Sequence, residues 1–169
     1  MKVAILGSGS WATALAKIIL SNVEEINWYI RKQETIDEFI ENRRNPNHLE
    51  WAYFDTTKIY FSTNINEVID LSDTIVLAIP SPYVKACLDE ISIDISHKKI
   101  ISAVKGMIPD ENILITDYLH DHYGIPEEQL GIIAGPCHAE EIALERLSYL
   151  TIGCTDINQA KTWSELFAN

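Results

Sequence analysis

At 169 residues, 47% of them hydrophobic and 22% charged, the chain can bury the core of one domain of ordinary size, and nothing in its composition suggests disorder or low complexity. A formal net charge of −12 argues against nucleic acid or an anionic membrane as a partner, because a phosphate polyanion is repelled at long range, but it leaves a small phosphorylated ligand open. Three widely spaced cysteines, Cys87, Cys137 and Cys154, form no disulfide framework or zinc spacing, and no signal h-region or 18-residue apolar span occurs, so the expectation is a cytoplasmic chain with no membrane insertion.

Short apolar runs alternate with amphipathic stretches. Residues 2–6 form a first run that ends at Gly7, and 11–20 follows with Leu15, Ile18 and Ile19 at helical spacing. Further runs lie at 26–30, 58–61 (weaker), 74–79 (stopped by Pro80), 99–103, 131–134 and 149–153. Helical candidates between and after them are 33–43, 65–71, 83–91, 111–123, 139–146 and 157–167. Short strands alternating with longer helices read as repeated βαβ units, and strands that are apolar throughout read as a sheet covered on both faces. Right-handed crossovers then give a doubly wound, mostly parallel α/β sheet with helices on both faces. One stretch is irregular: 45–57, with Asn45-Pro46-Asn47 and a Trp/Tyr/Phe cluster, predicts an ordered surface loop.

The first strand runs into Gly7-Ser8-Gly9-Ser10-Trp11-Ala12 and then a helix. This is the G-x-G-x-x-G/A fingerprint of a Rossmann-type dinucleotide site. Gly7 permits the tight turn, Gly9 lets a pyrophosphate approach the backbone, and Ala12 packs helix on strand. The helix start aims free N–H groups and a favourable dipole at the anion. The alternative is a glycine turn with no ligand. Against it stands the context, directly after a buried-type strand and directly before a helix.

In NAD-selective sites the second strand ends in an acid that grips the ribose 2′-hydroxyl. Here the residues are Trp28-Tyr29-Ile30-Arg31-Lys32, with Arg31 where the acid would be. Arginine stacks on adenine and accepts a 2′-phosphate, so either NAD or NADP is expected as cofactor. The alternative is that Arg31 and Lys32 are solvated charges at a helix start. Pro80, at the end of the fourth run, either walls the cofactor or simply ends a strand. Lys105, followed by Gly106 after the fifth run, points into the same crevice, where an ammonium binds a substrate phosphate or polarises a carbonyl. The sixth run ends in a second glycine-bearing turn at Gly135, suited to another anion or amide contact. His120-Asp121-His122 invites a metal reading, but residues i and i+2 on a helix face apart, so a solvated face is expected and no metal site.

In combination these segments resemble the NAD(P)-dependent glycerol-3-phosphate dehydrogenases of the bacterial type. That family shows a G-x-G-S-W-G-T-A-L-A turn, matched by Gly7-Ser8-Gly9-Ser10-Trp11-Ala12-Thr13-Ala14-Leu15-Ala16. Its R-x-N-P-x-x-L loop is matched within Arg43-Arg44-Asn45-Pro46-Asn47-His48-Leu49, and its strand end V/I-P-S by Ile79-Pro80-Ser81. Its K-G-[ILM] segment is matched by Lys105-Gly106-Met107, and its G-P-[ST]-x-A-x-E turn resembles Gly135-Pro136-Cys137-His138-Ala139-Glu140-Glu141. The blocks fall in family order along the whole chain.

The resemblance implies that Ser10, Trp11, Arg31, Lys32, Lys105 and Ala139 contact the cofactor. It implies that Lys105, Gly135 and Cys137 contact dihydroxyacetone phosphate or sn-glycerol 3-phosphate, in an oxidoreductase that feeds glycerophospholipid synthesis. Ala12 replaces the usual glycine, which the fingerprint permits. Cys137 replaces a hydroxyl residue, which weakens a substrate hydrogen bond; a catalytic thiolate there is a minor alternative, since dehydrogenation needs no nucleophile. The resemblance also implies a helical second domain carrying the general acid/base lysine, so 1–169 reads as the cofactor-binding domain alone; the full-length enzyme leaves a homodimer open. Two other readings remain: the Rossmann half of another two-domain dehydrogenase acting on a hydroxy acid or acyl thioester, and a non-catalytic nucleotide-sensing domain.

Overall fold

In β1 (Val3–Leu6), Val3 and Ile5 point to one side of the sheet and Ala4 and Leu6 to the other, and none is more than 1% exposed. This alternation between two apolar layers is why the strand reads as continuously hydrophobic. The computed structural model describes residues 1–109, 111–144, 146 and 148–168. Among them β1 is joined by β2 (Ile26–Tyr29), β3 (Ile59–Ser62), β4 (Thr74–Leu77), β5 (Lys99–Ser102), β6 (Leu130–Ala134) and β7 (Thr151–Cys154). The seven-stranded order is β3-β2-β1-β4-β5-β6-β7. Neighbours pair in parallel except β6 and β7, which pair antiparallel.

Four helices cover the Val3/Ile5 face: α1 (Ser10–Asn22), α2 (Gln33–Asn42), α6 (Ala139–Ala143) and α7 (Ile157–Leu166). The opposite face is covered by α3 (Ile65–Asp70), α4 (Ser81–Leu88) and α5 (Ile115–Tyr123). The doubly wound arrangement is therefore as expected, and the strand order reverses between β1 and β4. In an open α/β sheet that reversal opens a crevice at the carboxyl ends of the strands.

Several boundaries differ from the sequence expectation for local reasons. Helix α4 starts at Ser81 rather than 83, because Pro82 falls in the first turn, where its missing N–H costs no hydrogen bond. It ends at Leu88 rather than 91, where Glu90 N and Ile91 N donate to Cys87 O and Leu88 O in tight turns. Helix α5 starts at Ile115 rather than 111: Asn112 takes a positive φ of 56°, and Ile113 O accepts from Ile108 N at 3.0 Å, so neither Asn112 nor Ile113 is in helical geometry. Residue 145, inside the predicted 139–146 helix, lies outside the described residues. The outer face of β6 is less covered than expected, with Ile132 44% exposed.

The 45–57 stretch is ordered but is not confined to the surface. Asn45, Leu49, Ala52 and Phe54 are buried, while Trp51 and Tyr53 are exposed, and a 3-10 turn occupies Thr56–Lys58. Phe54 completes a cluster around fully buried Trp28, whose ring lies 5.3 Å from that of Phe39 and 5.8 Å from those of Phe54 and Phe61. Trp28→Ala empties the centre of that cluster. The expected cost is about 3–5 kcal/mol of unfolding free energy, read as a lower urea midpoint with the slope unchanged.

Candidate functional site

Gly7 sits where the sheet reverses. Its φ is +116°, and a Cβ there would lie 2.4 Å from the carbonyl oxygen of Ala78 at the end of β4, so only glycine fits. Each carbonyl of the turn is held away from the crevice. Trp28 Nε1 donates to Gly7 O at 2.7 Å, Asn45 Nδ2 donates to Ser8 O at 2.9 Å, and Thr13 N and Oγ1 both donate to Gly9 O at 2.9 Å. Asn45 Nδ2 also donates to Thr13 Oγ1 at 2.8 Å, which links two of the three anchors. With the oxygens tied back, the N–H groups of Gly9, Ser10 and Trp11 meet no acceptor among the described residues.

Helix α1 adds its dipole to those N–H groups. It has neither a side-chain cap nor an acid in its first turn, so its positive end is uncompensated by the chain itself. A Cβ built at Gly9 meets nothing within 4 Å, so this residue faces open space in front of the turn. Ser10 Oγ lies 3.1 Å from His48 Nδ1, which brings the 45–57 segment to the same edge. Open space, free donors and an uncompensated helix dipole fit the pyrophosphate of a dinucleotide.

Trp11 also lines an open groove of about 470 Å³, together with Lys105, Leu114, Ile132, Gly135 and Cys137 among others. Lys105 Nζ stands 5.6 Å from the Trp11 ring centroid, within cation–π range. The glycine turn, Lys105 and the Gly135–Cys137 turn are thus brought together as the sequence predicts. Cys137 is buried, and its Sγ donates to Gly135 O at 3.7 Å. Burial pushes its thiol above the ordinary range, Lys105 pulls it down and Glu141 pushes it up again, so the group stays protonated at neutral pH and no thiolate is built here.

The remaining candidates sit apart from that groove. Arg31 and Lys32 are exposed just past β2, with Lys32 at the N-cap of α2. Pro80 is the N-cap of α4, and its carbonyl accepts from Tyr83 N at 2.9 Å, so it starts a helix as well as ending a strand. Ala139 packs against the core beside α1. Helix α6 begins with Glu140 and Glu141 in its first turn, which already offset its dipole; the Gly135 turn is therefore a weaker anion site than its glycine suggested. His120 Nδ1 is 2.8 Å from Ile125 O and His122 stacks on Tyr118, so the two rings have separate local roles. A larger groove of about 610 Å³ between α5 and the β6–β7 strands contains none of the predicted site residues.

Sequence reasoning missed Trp28, Asn45, Thr13 and His48 as supports of the turn. The Asn45-Pro46 motif was the available signal, since a buried asparagine in a loop needs partners.

Gly9→Val projects a side chain into the open space before the turn. The expected outcome is an unchanged unfolding midpoint with loss of NADH and NADPH binding by calorimetry. Asn45→Ala frees Ser8 O and Thr13 Oγ1 together; the expected outcome is weaker dinucleotide binding with a stability loss of about 1–3 kcal/mol.

Comparison with known proteins agrees with this geometry. The family described as NAD-dependent glycerol-3-phosphate dehydrogenase N-terminus matches residues 2–160. A glycerol-3-phosphate dehydrogenase [NAD(P)+] of an Exiguobacterium species is 28% identical over 169 residues, 99% of this chain and 49% of the relative. One from Streptococcus agalactiae is 30% identical over 172 residues, 99% of this chain and 50% of the relative. A solved structure of Plasmodium falciparum glycerol-3-phosphate dehydrogenase superposes with a TM-score of 0.87 at 29% identity, covering 100% of this chain and 50% of that one. The chain spans about half the length of the curated relatives it matches. With the fingerprint turn, the strand order and the match over 2–160 in agreement, this chain belongs to the NAD-dependent glycerol-3-phosphate dehydrogenase N-terminal domain family.

Proposed function

We propose that this chain is the cofactor-binding half of an oxidoreductase that interconverts dihydroxyacetone phosphate and sn-glycerol 3-phosphate with NAD(P)H, a product suited to glycerophospholipid synthesis. The observation that carries the reading is the juxtaposition at Trp11. Its backbone N–H is one of the free donors of the turn that faces a pyrophosphate, and 5.6 Å from its ring centroid is Lys105, which lines the groove with it. A bound nicotinamide supplies the hydride chemistry.

The chain's own residues bind and orient. Gly7, Ser8, Gly9, Ser10 and Trp11 hold the dinucleotide, with Arg31 and Lys32 at its adenosine end, Pro80 as a wall beside it and Ala139 at the base of the cleft. Lys105 binds the substrate phosphate and polarises the carbonyl, and Gly135 and Cys137 complete the substrate contact. Lys105 is the only cation among the groove's described lining residues. We assign it to binding, and place the general acid for the developing alkoxide in the helical second domain that the family resemblance implies. Cys87, Cys137 and Cys154 are free thiols, which fits a reducing cytoplasm. No described helix is long and apolar enough to cross a membrane.

The test is NADH oxidation with dihydroxyacetone phosphate, this chain beside a full-length relative at equal site concentration. The expected result is cofactor binding by the chain with turnover near background, because a positioned general acid contributes about 10²–10⁴-fold. Absence of dinucleotide binding overturns the reading. A rate within a tenth of the relative's moves the acid/base role to Lys105.

A further inference from the structure

The carboxyl end of β2 carries Arg31 and Lys32 and no acid of its own, yet a carboxylate reaches that corner from another element. Glu90 lies in the turn after α4, and its Oε2 accepts from Tyr29 Oη at 3.2 Å. Tyr29 is the last residue of β2, two positions before Arg31, and is 4% exposed, so its ring fixes where the hydroxyl points. The backbone of Glu90 is clamped independently: Asn66 Nδ2 in the first turn of α3 donates to Glu90 O at 3.0 Å, and Ser92 N donates back to Asn66 Oδ1 at 2.7 Å. An exposed glutamate held by a buried tyrosine and an asparagine clamp is more restrained than a free surface carboxylate.

Tyr29 links Glu90 to Arg31: its hydroxyl binds the carboxylate, and its backbone lies two residues before the arginine. Burial pushes up the Tyr29 hydroxyl; among the neighbouring charges, Cys87 and Glu90 push it further and Arg31 pulls it down. Cys87, in the last turn of α4, is pushed to about 12 by burial first and Glu90 second, again against Arg31.

We propose that Glu90, held by Tyr29, is a specificity-determining residue for the dinucleotide: it supplies the carboxylate that β2 lacks, opposes a 2′-phosphate at Arg31, and shifts selectivity toward NAD(H). The inference rests on the reading that Arg31 faces the adenosine ribose. A phosphate dianion brought to Arg31 is repelled by the Glu90 carboxylate, whereas a ribose 2′-hydroxyl carries no charge to repel and can donate to it.

The test measures Kd for NADH and NADPH by fluorescence titration on the 169-residue chain and its variants. Glu90→Gln removes the charge and keeps an acceptor for Tyr29. It is expected to tighten NADPH about fivefold to tenfold while NADH is unchanged or weakened. Tyr29→Phe frees the carboxylate without neutralising it and is expected to shift the ratio in the same direction by less. The Glu90→Gln effect is expected to shrink when Arg31→Ala is also present and when ionic strength is raised. Equal changes for the two cofactors, or an unchanged ratio, overturn the role of Glu90 where Arg31→Ala alone does shift the ratio. If Arg31→Ala alone leaves the ratio unchanged, the placement of Arg31 at the ribose falls, and the inference falls with it.

Discussion

The carbonyl oxygens of the glycine turn are pulled backward, and most of the site follows from that constraint. A peptide unit that turns its oxygen away turns the neighbouring N–H outward, so the hydrogen bonds to Gly7 O, Ser8 O and Gly9 O set the direction of the donors at Gly9, Ser10 and Trp11. The three anchors come from different parts of the chain: Trp28 from β2, Asn45 from the segment after α2, and Thr13 from α1. The cradle therefore exists only once βαβ pairing has placed β2 beside β1 and the irregular segment has folded back across α1. Preorganisation of this kind is what lets a few amides hold an anion in competition with water.

The same residues serve the core, which couples stability to binding. Trp28 is at once the centre of an aromatic cluster with Phe39, Phe54 and Phe61 and the donor to Gly7 O. Phe54 and Asn45 belong to one segment, so packing at its far end positions the amide at its near end. A large, rigid side chain with one polar atom suits that double task, because burying the ring fixes the N–H without a separate ordering cost.

How much was legible follows from the range of the interactions involved. The strands could be read because each is a short apolar run between amphipathic stretches, and the fingerprint could be read because Gly7, Gly9 and Ala12 are close in sequence. Lys105 and Gly135 were legible as ends of strands. What escaped depends on contacts between distant segments. The separations of 21 positions from Gly7 to Trp28 and 37 from Ser8 to Asn45 carry no periodic signal. Glu90 reaches Tyr29 across 61 residues. The helix boundaries at Ser81 and Ile115 were missed for a subtler reason: Pro82 is harmless in a first turn, and Asn112 takes a left-handed conformation that few residues besides glycine adopt readily.

A chain of net charge −12 that takes an anionic dinucleotide needs local fields to prevail over the global one. At physiological ionic strength a surface charge is screened beyond roughly 8 Å, so the distant carboxylates matter less than the groups touching the ligand. Where this chain places its acids is consistent with that division. The first turn of α1 carries none, while the first turn of α6 carries Glu140 and Glu141. The start of α1 keeps its positive end for an external anion, whereas that of α6 is already offset by its own carboxylates and adds less pull at the Gly135 turn. Lys105, 5.6 Å from the Trp11 ring centroid, is a cation held close to the Gly7–Gly9 turn, so the local field there is positive although the chain as a whole is acidic.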